Sequence, residues 1–499
     1  MKKRSSAEWT DDADGVAAPY ALWTAAALCA LLIWRIGALY ASNTELFFDE
    51  AQYWAWSQEP ALGYYSKPPL IAWLIGGTTA LCGSDGEFCV RLSSPILHAA
   101  TAFLVFLIAR RLFSERAAFW SALGYATLPG VSFSAGLIST DVPLLFFWAA
   151  ALLVFIVLLE TRSWAAAVVL GLALGFGLLS KYAMVYFLGC ALVYALWTDK
   201  GRAMLRDPRL YAALAIAGLV VAPNMVWNAQ NQFATFAHTA DNAKWSGSLV
   251  NPGSALEFFA AQTGVFGAIL FAAFLWALWR LRREPLTDTQ KLLISFSVPV
   301  ILVITAQAFL SRAHANWAAV AYVAAVIFVS VELLRRGYER LLAGSLALHV
   351  AALILIGIGN AGAGRFSLPG GFDPYERVLG WRALAEEADA QVAAGGFKAV
   401  AVDKRSLTAE LIYYMKSGAP IVALRDGAPR DHFELSRPVT AGTPEPILFV
   451  SFKPKAARLS QFFETVELVA TKDTLAGAAG ARRVYFFKLT GYKERAAVR

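Results

Sequence analysis

Apolar runs recur from residue 20 to residue 359, each close to the ~20 residues needed to cross a bilayer core, with short polar segments between them. They predict helices over 20–41, 90–110, 117–136, 142–160, 164–179, 183–197, 210–227, 255–279, 291–310, 317–334 and 341–359, a bundle of about eleven spans. The run over 69–82 is too short to join them, at about fourteen residues. If it crossed, Arg110, Arg111 and Arg116 would face outward, and every later basic cluster would follow. Reading 42–88 as one external loop with two amphipathic or re-entrant helices puts those clusters, and the ones at Arg202, Arg282 and Arg336, on the cytoplasmic side. The N-terminus is then cytoplasmic, with 1–19 a polar tail, and everything after residue 359 is external.

The pattern changes at 360. Alternating segments at 398–403, 420–424, 445–452, 465–470 and 483–489 read as strands, and 381–392 and 407–416 as helices. Residues 360–499 form a small external α/β domain with a largely covered sheet. It contains no glycine-rich phosphate loop and no G-x-S-x-G element.

Composition agrees with a membrane bundle: 16% of residues are charged, against roughly 25% in soluble domains. The net charge of +8 is spread through short clusters between spans, which argues against a nucleic-acid partner. Four cysteines are too few for a disulfide framework or a Cys-rich metal site. Cys82 and Cys89 flank a short polar loop and could pair in an oxidising compartment. The first apolar run is too long for a removed signal peptide and reads as a retained span.

Under this topology the unusual polar residues gather on the external side, where ionisable groups at membrane depth are costly and functional by default. Asp49 and Glu50 follow the first span. They could simply start a helix, with Asp49 as its cap, or supply a general base and an orienting carboxylate. Lys67, before Pro68-Pro69, could be an interface lysine or a phosphate ligand, with Tyr64 and Tyr65 as interface or sugar-stacking aromatics. Arg91 opens a span from the external side, and Lys181 joins two spans there; both are anchors or anion ligands. Asp141, two residues before Pro143, fits a helix start. Asn224, Asn228, His238, His314 and Asn316 complete the set as candidate substrate contacts. No histidine spacing resembles a metal motif. A divalent cation is compatible with Glu50 plus a histidine but is not predicted.

Asp49-Glu50, then Tyr64-Tyr65-Ser66-Lys67-Pro68-Pro69, then Val90-Arg91-Leu92 resemble the protein O-mannosyltransferase and aminoarabinose–lipid A transferase group, glycosyltransferase family 39. Ser139-Thr140-Asp141, Ser180-Lys181-Tyr182, 223–228, Asn316-Trp317 and the tail helix at 407–414 extend the resemblance along most of the chain. It implies a GT-C membrane fold with a periplasmic C-terminal domain, in a bacterial inner membrane. It implies transfer of one sugar from a polyprenyl-phosphate donor to a lipid A, lipopolysaccharide or other envelope acceptor. Asp49 would be the base, and Lys67, Arg91 and Lys181 the donor-phosphate ligands. Aminoarabinose transferases often carry Glu before the Lys-Pro pair. Ser66 stands there in this chain, which weakens transfer of their metal proposal and their sugar identity. A protein O-mannosyltransferase and a lipid-linked sugar flippase are the alternatives. The lack of an internal repeat and the one-sided charges favour an enzyme over a transporter.

Overall fold

The computed structural model describes residues 19–243, 249–369, 372–478 and 480–494. The expected tail at 1–19 therefore lies outside the described residues, apart from residue 19, as does part of the loop before 251. The chain divides into two compact units. One comprises residues up to Leu39, Pro68–Ile71 and Arg91–Gly357; the other comprises Tyr40–Lys67, Ala72–Val90 and Ile358 onward.

The first unit is helical. Among the described residues, six helical segments are long and apolar enough to cross a membrane: Tyr20–Tyr40, Glu87–Leu112, Asp141–Thr161, Pro208–Gln230, Asp288–Leu310 and Glu339–Ala361. A seventh results if Pro252–Val265 and Ala268–Leu281 count as one, although they meet at 114°. Trp164–Ser180 and Tyr182–Trp197 are apolar but shorter. The predicted run 117–136 is interrupted, with helices at Glu115–Thr127 and Pro129–Ser134. Pro129 supplies the break, since proline disfavours helical geometry at the residue before it. Gly267 makes the sharp elbow: it adopts φ +86°, and a Cβ there would run into the His349 ring. Gly171 and Gly175 let Trp164–Ser180 lie directly on Pro208–Gln230, since a Cβ on either would come within 2.6 Å of Ala213 O or Val220 Cβ. Small residues four apart permit this close backbone approach in a bundle without a hydrophobic drive from water.

The second unit joins the segments Tyr40–Lys67 and Ala72–Val90 to the C-terminal residues. Its sheet comprises β1 (Ala399–Val402), β2 (Ile421–Ala423), β3 (Ile447–Ser451), β4 (Phe463–Ala476) and β5 (Gly480–Tyr492) in the order β2-β1-β3-β5-β4. β1 runs parallel to β2 and β3, whereas β3–β5 and β4–β5 are antiparallel. Alternate residues face two cores, as strand geometry dictates. Val400, Val402, Leu448 and Val450 meet the helix Trp381–Gly395 and the helix Arg405–Tyr414, while Ala399, Ala401, Ile447 and Phe449 pack on Leu459, Phe462 and Phe463. Each of the five expected strands is present, and so are both expected helices. The loop contributes the helices Phe48–Gln58 and Leu70–Cys82 and is bonded to the tail: Asn43 N donates to Asn360 O (3.0 Å), Glu45 N to Val378 O (2.9 Å) and Leu46 N to the Tyr414 hydroxyl (2.8 Å). Cys82 and Cys89 are free thiols in this structure.

Candidate active site

The two adjacent carboxylates have different environments because they sit at different positions of one helix start. Phe47 is the N-cap of Phe48–Gln58, so Glu50 is at the third helical position. From there its Oε2 accepts from the Phe47 N–H at 2.9 Å, and the side chain is buried. The capping role expected of Asp49 thus falls to Glu50. Asp49 is left partly exposed, and its Oδ1 accepts from Arg405 Nη1 at 2.8 Å. The same Nη1 donates to Gln52 Oε1 at 2.8 Å, since positions three apart share a helix face. The Arg405 guanidinium lies over the Phe48 ring, 4.8 Å from its centroid. Gln52 is buried and reaches Ser66 Oγ at 3.5 Å, beside Lys67.

The turn that presents Lys67 is fixed by backbone and aromatic contacts. Tyr64 N donates to Lys67 O at 3.2 Å. The Tyr64 ring is buried and stacked on Trp56 (4.5 Å, 3° between planes), and its hydroxyl donates to Trp56 O at 2.9 Å. Its expected role as a sugar-stacking platform gives way to packing, because both the ring face and the hydroxyl are already engaged. Burial also pushes its phenol up to about 12. His432 stands edge-on to both rings, at 5.4 and 5.5 Å. Burial, helped by the Arg437 charge, holds its imidazole down at about 4. Tyr65 donates to Pro429 O at 2.9 Å.

In the helical unit the structure brings a second subset together. Asp141 opens Asp141–Thr161 and Lys181 closes Trp164–Ser180, so each charge complements its own helix dipole. They pair at 2.7 Å, and Asn316 Nδ2 donates to the other Asp141 oxygen at 2.7 Å. Next to Lys181, the Tyr182 hydroxyl donates to Asn224 Oδ1 (2.6 Å) and accepts from Asn228 Nδ2 (3.2 Å). Asn224 and Asn228 are buried on one face of Pro208–Gln230. His314 stands edge-on to Trp317 at 5.4 Å. Partial burial, then the Arg312 and Lys181 charges, lower its imidazole below the ordinary value. Arg91 is buried, 2% exposed, at the end of Glu87–Arg91. His238 is half-buried on the helix Ala234–Ala243. Among the described residues no three His, Cys, Asp or Glu side chains are grouped to hold a metal ion.

Sequence reasoning missed Arg405, Gln52 and Tyr182. Tyr182 could have been found from its position between two singled-out elements, Lys181 and the Asn224/Asn228 pair. Nothing in the local pattern marks Arg405, which lies 356 residues from its partner Asp49.

A polytopic helical unit with polar groups at its helix ends, and a mixed sheet joined to the first loop, define the class: a multi-pass membrane enzyme of the glycosyltransferase type. Residues 66–227 match the family described as dolichyl-phosphate-mannose-protein mannosyltransferase. The chain is 38% identical over 421 residues to the lipid A galacturonosyltransferase RgtD of Rhizobium johnstonii, covering 84% of this chain and 88% of that protein. An undecaprenyl phosphate-alpha-4-amino-4-deoxy-L-arabinose arabinosyl transferase of Pseudomonas aeruginosa is 33% identical over 218 residues, 39% of each chain. The fold matches the crystal structure of ArnT from Cupriavidus metallidurans bound to undecaprenyl phosphate, with a TM-score of 0.66, 15% identity, and 95% and 98% of the two chains covered. The chain belongs to this family of membrane glycosyltransferases, family 39 in the terms used above, and is related to its lipid A-modifying members.

Proposed function

We propose that the protein transfers a single sugar, a galacturonosyl residue by analogy with the relative that spans most of its length, from a polyprenyl-phosphate donor to lipid A or another lipopolysaccharide acceptor. Its setting is the periplasmic face of a bacterial inner membrane, with about eleven spans and the C-terminal domain outside. The acceptor hydroxyl attacks the anomeric carbon while the bond from that carbon to the phosphate oxygen breaks. Asp49 takes the hydroxyl proton, and polyprenyl phosphate leaves with the bonding electrons. The family resemblance assigns Lys67, Arg91 and Lys181 to offset the charge that develops on the phosphate. A single displacement inverts the anomeric centre.

The observation that carries this reading is the difference between the two acids. Glu50 is used at the helix start, while Asp49 is half-open to solvent and held by one oxygen. A rigidly oriented carboxylate with an open edge is what a general base requires. The test is reconstitution with undecaprenyl-phosphate galacturonic acid and lipid A. Asp49→Asn should lower transfer by about 10²–10⁴-fold, and full transfer by that variant would refute the assignment.

A further inference from the structure

Arg405 comes from the C-terminal part of the chain yet lies against the proposed base, and only one of its three nitrogens is committed. Nη1 serves Asp49 Oδ1 and Gln52 Oε1. Among the described residues, Nε and Nη2 make no hydrogen bond, and the side chain is 31% exposed. The Nε–Nη2 edge of a guanidinium is a planar fork that matches two oxygens of a carboxylate or phosphate. The fork cannot swing freely, because Phe48 lies under it at 4.8 Å. Nor does it have to leave Asp49 to bind an anion, since Asp49 is held from the opposite nitrogen. Asp49 Oδ2 likewise makes no hydrogen bond among the described residues and remains open for a proton.

The surroundings favour an anion on that edge. Ser66, reached through Gln52, puts a neutral hydroxyl beside Lys67. Asp431 also feels the Arg405 charge but makes no hydrogen bond to Arg405 among the described residues; its Oδ1 accepts from the Phe433 and Glu434 N–H groups at 2.8 and 3.0 Å. Glu50 is turned back on Phe47. An arginine needed only to steady a carboxylate could be fully buried in its pair, whereas this side chain is 31% exposed, and Nε and Nη2 make no hydrogen bond among the described residues.

We infer that Arg405 is a specificity residue that binds an oxyanion of the substrate pair while holding Asp49 in place, and so couples recognition of an acidic group to the position of the base. The inference rests on the proposed sugar-transfer reaction. Two substrate groups have the required chemistry: the carboxylate of a transferred uronic acid and a phosphate on the acceptor.

The experiment uses the full chain in nanodiscs and compares wild type, Arg405→Gln and Arg405→Lys. Donors are undecaprenyl phosphates carrying galacturonic acid or galactose, and acceptors are lipid A with or without its phosphates. Thermal unfolding identifies variants that fail to fold. Loss of one charge-assisted bidentate contact should reduce the preference for the anionic over the neutral substrate by roughly 10- to 100-fold in kcat/KM. The change should appear mainly in KM, with partial recovery in Arg405→Lys. A lost preference for galacturonic acid over galactose places the donor carboxylate on Arg405. A lost preference for phosphorylated lipid A places the acceptor phosphate there. Unchanged preferences in a folded Arg405→Gln overturn the inference. If wild type transfers no sugar from any donor, the proposed function fails separately. Binding of the two donors, and of lipid A with and without its phosphates, followed by tryptophan fluorescence, then still tests Arg405, and affinity ratios unchanged between wild type and Arg405→Gln for both pairs overturn the inference.

Discussion

Replacing Asp141 by alanine removes the acceptor of two short hydrogen bonds, both 2.7 Å, one from the Lys181 ammonium and one from Asn316. The pair is largely shielded, with side chains 12% and 20% exposed, so Lys181 would lose its partner in a place where water replaces it poorly. Breaking a buried ion pair costs about 3–5 kcal/mol, and the residual exposure here puts the expectation near the lower end, about 3 kcal/mol. Lys181→Ala should cost less, about 2 kcal/mol, because Asn316 still satisfies one Asp141 oxygen. The double variant leaves no unpaired charge, so its loss should fall short of the sum of the singles by at least about 1 kcal/mol. Reversible unfolding in mixed detergent micelles, followed by tryptophan emission, gives all three values. Strict additivity would show that the two charges do not stabilise each other, and the pairing argument would fall.

His432 gives a pH signature. Its native value of about 4 lies below the ordinary 6.5, so between those values the unfolded chain takes up a proton that the folded chain refuses. Stability of the second unit should therefore be full above pH 6.5 and decline by up to about 3 kcal/mol toward pH 4. Denaturant melts of His432→Phe should lose that part of the slope, and an unchanged slope would assign it elsewhere. Gly267→Ala should sharply reduce the folded yield in fluorescence-detected gel filtration, since positive φ and the His349 ring both oppose a side chain. A reporter fused after Arg111 should signal from the cytoplasm; an external signal would sink the proposed topology.

The C-terminal sheet was legible because two-sided burial writes a short apolar run into each strand, and Ala399–Val402 and Ile447–Ser451 are buried throughout. The long helices were legible for the same reason, whereas their interruptions were not. Gly267 looks like any membrane glycine until His349, from a later helix, fills the space beside it. The Asp141, Lys181 and Asn316 group could be read because charges at helix ends announce themselves in an apolar sequence. The different environments of Asp49 and Glu50 could not, because one residue of phase relative to Phe47 decides which acid turns back on the helix start. Tyr64 misled for a related reason: an aromatic beside prolines suits a surface, and only the Trp56 stack shows it buried. Arg405 lay beyond reach, since no periodicity connects it to a helix at the other end of the chain.

That separation has a consequence for how the protein is made. Leu46 leaves the ribosome 368 residues before the tyrosine whose hydroxyl receives its N–H. At about 5–20 residues per second, the first loop waits roughly 20–70 s for the segment that completes it. Throughout that interval Asp49 has no arginine, and the backbone of 43–46 has no partner from the tail. A chain stopped before residue 405 would contain the loop but never finish it, leaving Asp49 without Arg405 and the Leu46 N–H without the Tyr414 hydroxyl. Completion of the loop is thus timed by synthesis of the helix Arg405–Tyr414.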